Sequence, residues 1–108
     1  MARYAIFFTF KGESIKAMID KPSNRAAAAS AIVEAAGGTM ESYNIMFGAW
    51  DGFCIADLPD SKAAAACSLK ISSSGAFGHL ETHELITADE LTEVLNTAGG
   101  LAFSPPGT

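Results

Sequence analysis

Basic residues and cysteines are scarce in this sequence of 108 residues, which holds 7 Lys and Arg against 12 Asp and Glu. The net charge is −5 and the basic residues form no cluster, so a phosphate backbone is mostly repelled and no nucleic-acid partner is expected. The two cysteines, Cys54 and Cys67, stand in apolar surroundings without CxxC spacing. We therefore expect two buried thiols rather than a disulfide or zinc ligands.

Long apolar runs are also missing. Nothing approaches the roughly 20 apolar residues of a membrane helix, so no membrane partner is expected. The apolar run at residues 5–10 is too short for a signal-peptide core and has no small-residue cleavage site after it. Neither a Ser-His-Asp order nor a phosphate-binding glycine loop occurs, and no cofactor is expected. These absences predict a cytoplasmic protein.

What the sequence has is the patterning of a globular domain, with 49% hydrophobic and 18% charged residues. Apolar periodicity, Gly-Gly pairs and capping residues mark eight elements. The clearest helix start is a capping box, in which Thr87 and Glu90 satisfy each other's backbone N–H groups. The predicted strands are residues 2–10, 39–47, 51–58 and 77–86, and the predicted helices are residues 13–20, 25–36, 60–71 and 88–98. In the second strand, alternation places Tyr43 on one side and Met40 on the other.

The order of these elements predicts an α+β, ferredoxin-like βαββαβ fold with an extra C-terminal helix. Right-handed crossovers with adjacent middle strands give a four-stranded antiparallel sheet. We expect residues 1–98 to form this domain and residues 99–108 to form an extended C-terminal tail.

The first strand predicts self-association. Tyr4, Ile6 and Phe8 lie on one side of it, while Ala5 and Phe7 lie on the other, so both sides require burial. The helices of this fold cover only one side of the sheet. A second copy is the simplest cover for the other side, which predicts a homodimer in the form of a dimeric α/β barrel.

A resemblance to a known family agrees with this fold. The segment "GAWD" at residues 48–51 resembles the G-x-Y-D signature of the GYD domain family, with Trp50 in place of the usual Tyr. The segments "DLPDSKAAAACSL" and "ETHELITADEL" and the "SPPG" of the tail are similar to the family as well. The resemblance implies a dimeric α/β barrel without an assigned activity, in a superfamily that includes cofactor-free monooxygenases, isomerases and haem-degrading enzymes. A role that needs the Tyr hydroxyl does not carry over to Trp50.

Each residue of this motif also has a physical interpretation. Gly48 permits a turn that other residues resist, and Trp50 is a large anchor with one N–H donor. Asp51 at the start of a strand is typical of a side chain that accepts turn or backbone hydrogen bonds. A role in binding a ligand is the alternative for Asp51.

The segment "GHLETHELIT" at residues 78–87 holds both histidines of the chain. On a strand, His79, Glu81 and His83 share one side with Phe77 and Leu85. His79 and His83 then stand about 13 Å apart, so one ion cannot bind both, and no metal site is predicted. The three side chains are candidate catalytic groups for proton transfer in a space between two sheets. The alternative is that both histidines are rim or interface residues.

Three hypotheses for function follow. The first is a small-molecule binder, with catalysis left open, whose pocket joins the acid–base candidates to a set of ligand-binding candidates. The second is an oligomeric interaction or scaffold protein without chemistry, and the third is a metal- or haem-binding protein. The ligand-binding candidates of the first hypothesis are Tyr4, Phe8, Tyr43, Trp50 and Asp51.

Overall fold

Four strands and four helices make up the chain, and a computed structural model describes all 108 residues. They follow the predicted order, with two helices in the first crossover. The longest helix has 13 residues, and no helix combines the length and the apolar character needed to cross a bilayer. The elements are β1 (Ala2–Phe10), α1 (Gly12–Asp20), α2 (Arg25–Ala35), β2 (Thr39–Ile45), β3 (Gly52–Leu58), α3 (Ser61–Ser73), β4 (Phe77–Glu84) and α4 (Ala88–Gly99).

Local side-chain chemistry starts three of the four helices. The side chains of Asn24 and Asp60 accept a backbone N–H from the first turn of α2 and of α3. At α4, Thr87 Oγ1 accepts the N–H of Glu90 at 3.1 Å, and Glu90 Oε1 accepts the N–H of Thr87 at 3.3 Å. The predicted capping box is therefore confirmed.

The sheet has the strand order β2-β3-β1-β4, and every neighbouring pair is antiparallel. This order places the first and third strands in the centre, as a ferredoxin-like fold requires. The prediction of an α+β fold with an extra C-terminal helix is confirmed.

One side of the sheet, here called the covered face, carries Tyr4, Ile6 and Phe8 toward α2 and α3, and each of these side chains is only 3% exposed. Val33 of α2 and Cys67 of α3 pack on this face. The best-buried cluster is Tyr4, Val33, Ala56, Leu58, Ala64 and Cys67. The small side chains of Ala56 on the sheet and of Ala64 and Cys67 on α3 allow this helix to lie close to the strands.

The other side of the sheet, here called the open face, has Phe7 at its centre. Phe7 pairs with Phe53 on β3 and with Glu81 on β4, so the three side chains are neighbours. No helix packs across this side, and all three side chains keep intermediate exposure. One side of the sheet is therefore left without cover in the single chain.

Two bulges change which side chains share a face, and they correct two predicted positions. The pairing of β2 with β3 shifts register between Met40 and Ser42, so Met40 and Tyr43 both lie on the covered face, although alternation placed them on opposite sides. A second shift, between β1 and β4, puts Phe77 on the covered face, whereas His79 remains on the open face. An extra residue in one strand reverses the alternation beyond it.

Helix α4 projects away from the sheet. Its residues are exposed along its whole length, and it makes no extensive contact with another element. The radius of gyration is 17.4 Å and the longest dimension 58 Å, whereas a compact domain of this length has a radius of gyration of about 13 Å. The regular helix continues to Gly99, and the tail after it contains no helix or strand.

Candidate functional site

A cavity of about 280 Å³ lies between the covered face, α2 and α3, and we call it the covered cavity. It is lined by 16 residues, of which 13 are hydrophobic. Both cysteines contribute to the lining, as do Phe8 and Tyr43, two of the predicted ligand-binding residues. Mostly apolar walls with a few polar groups are typical of small-molecule sites.

Aromatic rings form one wall of this cavity. Phe8 stacks on Tyr43 with ring centroids 5.7 Å apart, and it meets Phe77 edge-on at 5.7 Å. Phe8 can take this position because Gly52, its partner on β3, has no side chain. A Cβ atom at Gly52 would lie 2.5 Å from Cζ of Phe8. The glycine thus allows the wall to form.

The two thiols and the phenol of the cavity hold their protons at neutral pH. Burial raises the pKa of the Cys54 thiol from 9.0 to about 11, and it also raises the pKa of Cys67. Burial raises the pKa of Tyr43 too, against a smaller lowering effect of the positive charge on Arg25. These groups can donate hydrogen bonds at neutral pH but cannot act as bases.

The open face carries the predicted acid–base residues. Nε2 of His79 lies 3.4 Å from Oε2 of Glu81, and Nε2 of His83 lies 3.3 Å from Oε1 of the same carboxylate. Trp50 stacks on His79 with ring centroids 5.4 Å apart, and Phe7 meets His83 edge-on at 5.9 Å. This open-face cluster is partly exposed, with the Glu81 side chain at 40%. One carboxylate thus lies between two imidazoles on the sheet surface.

The sheet separates the residues that the sequence grouped into one pocket. Phe8 and Tyr43 line the covered cavity, whereas Trp50 belongs to the open-face cluster. Tyr4 lies on the covered face outside the lining, with its hydroxyl 3.2 Å from Oε1 of Glu84. Burial, followed by the charge of Glu84, raises the pKa of Tyr4. The predicted acid–base residues and the predicted aromatic residues therefore do not converge on one space.

The turn between β2 and β3 contains Gly48 and Asp51, two residues of the predicted motif. Gly48 has φ +131°, a conformation that side chains disfavour. Oδ2 of Asp51 accepts the backbone N–H of Phe10 at 2.8 Å, and the N–H of Asp51 donates to the carbonyl of Phe8 at 2.9 Å. Asp51 thus joins the turn to the end of β1, the structural role expected of it.

This turn lies inside the match to a protein-family model, the GYD domain, which covers residues 4–95. The chain belongs to the GYD domain family. No curated protein matches the sequence.

Two solved structures match this GYD domain, the first of them with a similar fold. One is the 5-chloro-2-hydroxyhydroquinone dehydrochlorinase TftG from Burkholderia phenoliruptrix AC1100, in complex with 2,5-dihydroxybenzoquinone. It has a TM-score of 0.54 and 16% identity, over 81% of this chain and 96% of that one. The other is MupZ from Pseudomonas fluorescens, with a TM-score of 0.43 and 14% identity over 99% and 97% of the two chains.

Several lining residues of the GYD domain were not among the sequence predictions. Arg25 at the start of α2 and Lys70 near the end of α3 line the covered cavity together with Cys54 and Cys67. The apolar sequence neighbours of the cysteines predicted their burial. Nothing in the sequence predicted the positions of the two cations, because only the packing of two helices on the sheet brings them to one cavity.

Metal-binding groups are sparse in the structure. No group of three or more His, Cys, Asp and Glu side chains is placed to hold a metal ion. In the open-face cluster the two histidines contact different oxygens of Glu81. A site there would need ligands from another molecule.

Proposed function

We propose that this protein binds a small, largely apolar molecule in the covered cavity. The observation that carries the proposal is the cavity itself, because 13 of its 16 lining residues are hydrophobic and few polar groups are available to orient a ligand. A volume of about 280 Å³ suits a molecule of one or two rings.

The fold comparison supports the same class of ligand. TftG, whose fold is similar, holds the single-ring compound 2,5-dihydroxybenzoquinone in its crystal structure. The groups lining the cavity in this protein favour binding over base catalysis, since burial keeps Cys54, Cys67 and Tyr43 protonated at neutral pH. A reaction in this cavity would draw on hydrogen-bond donation by these groups.

A matched pair of variants on α2 tests the proposal. Ala29 lines the cavity, whereas Ala27 on the same helix is exposed and does not. With the neutral probe 2-naphthalenemethanol, calorimetry is expected to give saturable 1:1 binding. We expect Ala29→Leu to weaken binding about tenfold or more because it fills the cavity.

The control Ala27→Leu adds the same side chain outside the cavity and is expected to leave the affinity unchanged. Equal effects of the two variants, or no binding to the wild-type protein, would contradict the proposal.

We also propose that two copies of the chain associate, with the open face and a C-terminal arm as their interface. The C-terminal arm is residues 86–103, which include α4. Its apolar side chains are exposed in the single chain, with Leu95 at 59% and Phe103 at 84%. An isolated helix of 12 residues is marginal in water, so packing on another molecule would stabilise it.

Self-association accounts for the extended shape and for the uncovered aromatic residues of the open face together. In that assembly the open-face cluster lies at the contact between copies, as interface residues or as polar groups of a shared space. A scaffold protein without a ligand would have the same assembly.

Two substitutions adjacent in the chain test the role of the arm. Leu95 lies on the apolar stripe of α4, and Asn96 lies on its polar side. Leu95→Glu is expected to weaken the dimer about tenfold or more, because a carboxylate replaces a buried apolar group. Asn96→Glu adds the same charge on the polar side and is expected to have little effect. Light scattering after size-exclusion chromatography gives the oligomeric state.

Native mass spectrometry of untagged protein, purified without chelator, distinguishes the three functional hypotheses. A dimer that carries an extra organic mass supports ligand binding, and a bare dimer favours the scaffold function. A dimer that carries a metal or haem mass favours the third hypothesis. A bare monomer at micromolar concentration would contradict the proposed assembly.

A further inference from the structure

The charges around the covered cavity differ from those of the whole chain. The chain has a net charge of −5, with 12 acidic residues against 7 basic ones. The lining of the cavity nevertheless contains no Asp or Glu, and its only ionised side chains are Arg25 and Lys70. The cavity is therefore a positive site in a negative protein.

Neither cation is neutralised by the protein. The ion pairs of the chain join Arg3 to Glu41 and Lys16 to Asp20, and Glu81 contacts the two histidines. Arg25 and Lys70 form no ion pair, and their side chains donate no hydrogen bond. A guanidinium and an ammonium beside one apolar cavity are available to a ligand.

Helix stability does not explain Arg25. This residue is the first of α2, where the helix dipole is positive and a cation is unfavourable. Lys70, in contrast, lies in the last turn of α3, where the dipole favours a cation. The positive charge of Arg25 also acts on the neighbouring Tyr43, whose hydroxyl remains a hydrogen-bond donor at neutral pH.

From these charges we infer that the ligand of the covered cavity is an apolar molecule with one anionic group, such as a carboxylate or an acidic phenol. The apolar part lies against the Phe8 and Phe77 wall, and the anion is held by Arg25 and Lys70. Tyr43 donates a hydrogen bond toward the same end. This inference rests on the proposed function, since it names the chemical class of the ligand for that cavity.

Two probes of the same size and shape test the inference. Naphthalene-2-carboxylate carries the anion, and 2-naphthalenemethanol is its neutral counterpart. By calorimetry at pH 7.5 and low salt, we expect the carboxylate to bind about tenfold tighter or more, as charge-assisted hydrogen bonds provide. Because the attraction is electrostatic, raising the salt concentration is expected to reduce this preference.

Variants assign the preference to the two cations. Arg25→Gln and Lys70→Gln are each expected to reduce the preference for the carboxylate several-fold, and the double variant to abolish it, with a smaller change in the affinity for the alcohol. Lys62→Gln is the control, because Lys62 lies on α3 outside the lining. It removes the same charge from the protein and is expected to preserve the preference.

The outcomes separate the two proposals. Equal binding of the two probes, or equal effects of Lys62→Gln and Lys70→Gln, would overturn the anionic class but leave the proposed function intact. Failure of both probes to bind the wild-type protein would overturn the proposed function and this inference with it.

Discussion

The two faces of the sheet receive similar side chains from β1 but differ in what lies on them. Tyr4, Ile6 and Phe8 are almost fully buried beneath two helices, whereas Phe7 keeps intermediate exposure on the open face. The difference teaches that burial in this protein depends on what packs on each face rather than on strand composition. The covered face completes a core within one chain, whereas the open face has no cover within the chain.

The same difference applies to the charged groups. The open-face cluster places Glu81 beside two histidines at a partly exposed surface, where even an ion pair contributes little to stability. The covered face excludes carboxylates from its cavity and shifts the pKa of a thiol. Substitutions on the covered face should therefore change the stability of a single chain much more than substitutions on the open face.

The largest effect is expected at Gly52. In Gly52→Ala, the new Cβ would lie 2.5 Å from Cζ of Phe8 and 2.6 Å from the carbonyl oxygen of Asn44. Neither the packed ring nor the strand backbone can move freely, so we expect a loss of about 3 kcal/mol or more in the free energy of unfolding. Urea denaturation at a fixed protein concentration measures it.

A second glycine is the control for this prediction. Gly12 is the first residue of α1, and a Cβ there would meet nothing within 4 Å. Gly12→Ala is expected to change the stability by about 0.5 kcal/mol or less. Similar losses in both variants would show that close packing at Gly52 is not the cause.

The next effect is a dependence on pH through Cys54. The native thiol keeps its proton up to about pH 11, whereas in the unfolded chain it titrates near 9.0. Between these values the unfolded state binds fewer protons, so stability falls as the pH rises. The contribution is complete below pH 9, and roughly 2 to 3 kcal/mol is lost by pH 11.

Urea denaturation at pH 8 and pH 10.5 measures this loss. Cys54→Ala has no thiol to titrate, so its stability is expected to decrease less over the same range, whatever its stability at pH 8. An identical pH dependence in the variant and the wild-type protein would exclude the buried thiol as the cause.

A smaller effect is expected at Asp51, which connects β1 to the turn between β2 and β3. Asp51→Ala removes the acceptor of the Phe10 N–H and is expected to cost about 1 to 3 kcal/mol. Asp51→Asn keeps an oxygen acceptor and should recover most of this stability. If Asp51→Asn lost as much stability as Asp51→Ala, the negative charge itself would be needed. That result would reopen a ligand-binding role for Asp51.

The smallest effect is expected on the open face. Glu81→Gln removes the charge that both histidines contact, at a side chain that is 40% exposed. Since exposed ion pairs contribute little, we expect a change below about 1 kcal/mol in unfolding free energy. A loss comparable to that of Gly52→Ala would contradict the distinction between the two faces.

Much of the fold was predictable because its signals are local. A cap such as Asn24 or Asp60, and the reciprocal bonds of Thr87 and Glu90, act within one helical turn and can be recognised in the sequence. The order of strands and helices then restricts the topology to a few arrangements, and the observed sheet is the predicted one. The apolar residues on both sides of β1 likewise predicted a face that the chain leaves open.

The sequence by itself determined the elements, their order and the presence of an uncovered face. Only the tertiary structure decided which residues meet. Two bulges reversed the alternation that placed Met40 opposite Tyr43 and Phe77 beside His79, because a register shift depends on pairing with a distant strand. The covered cavity and its two cations exist for the same reason, since helices far apart in the chain pack on one side of the sheet.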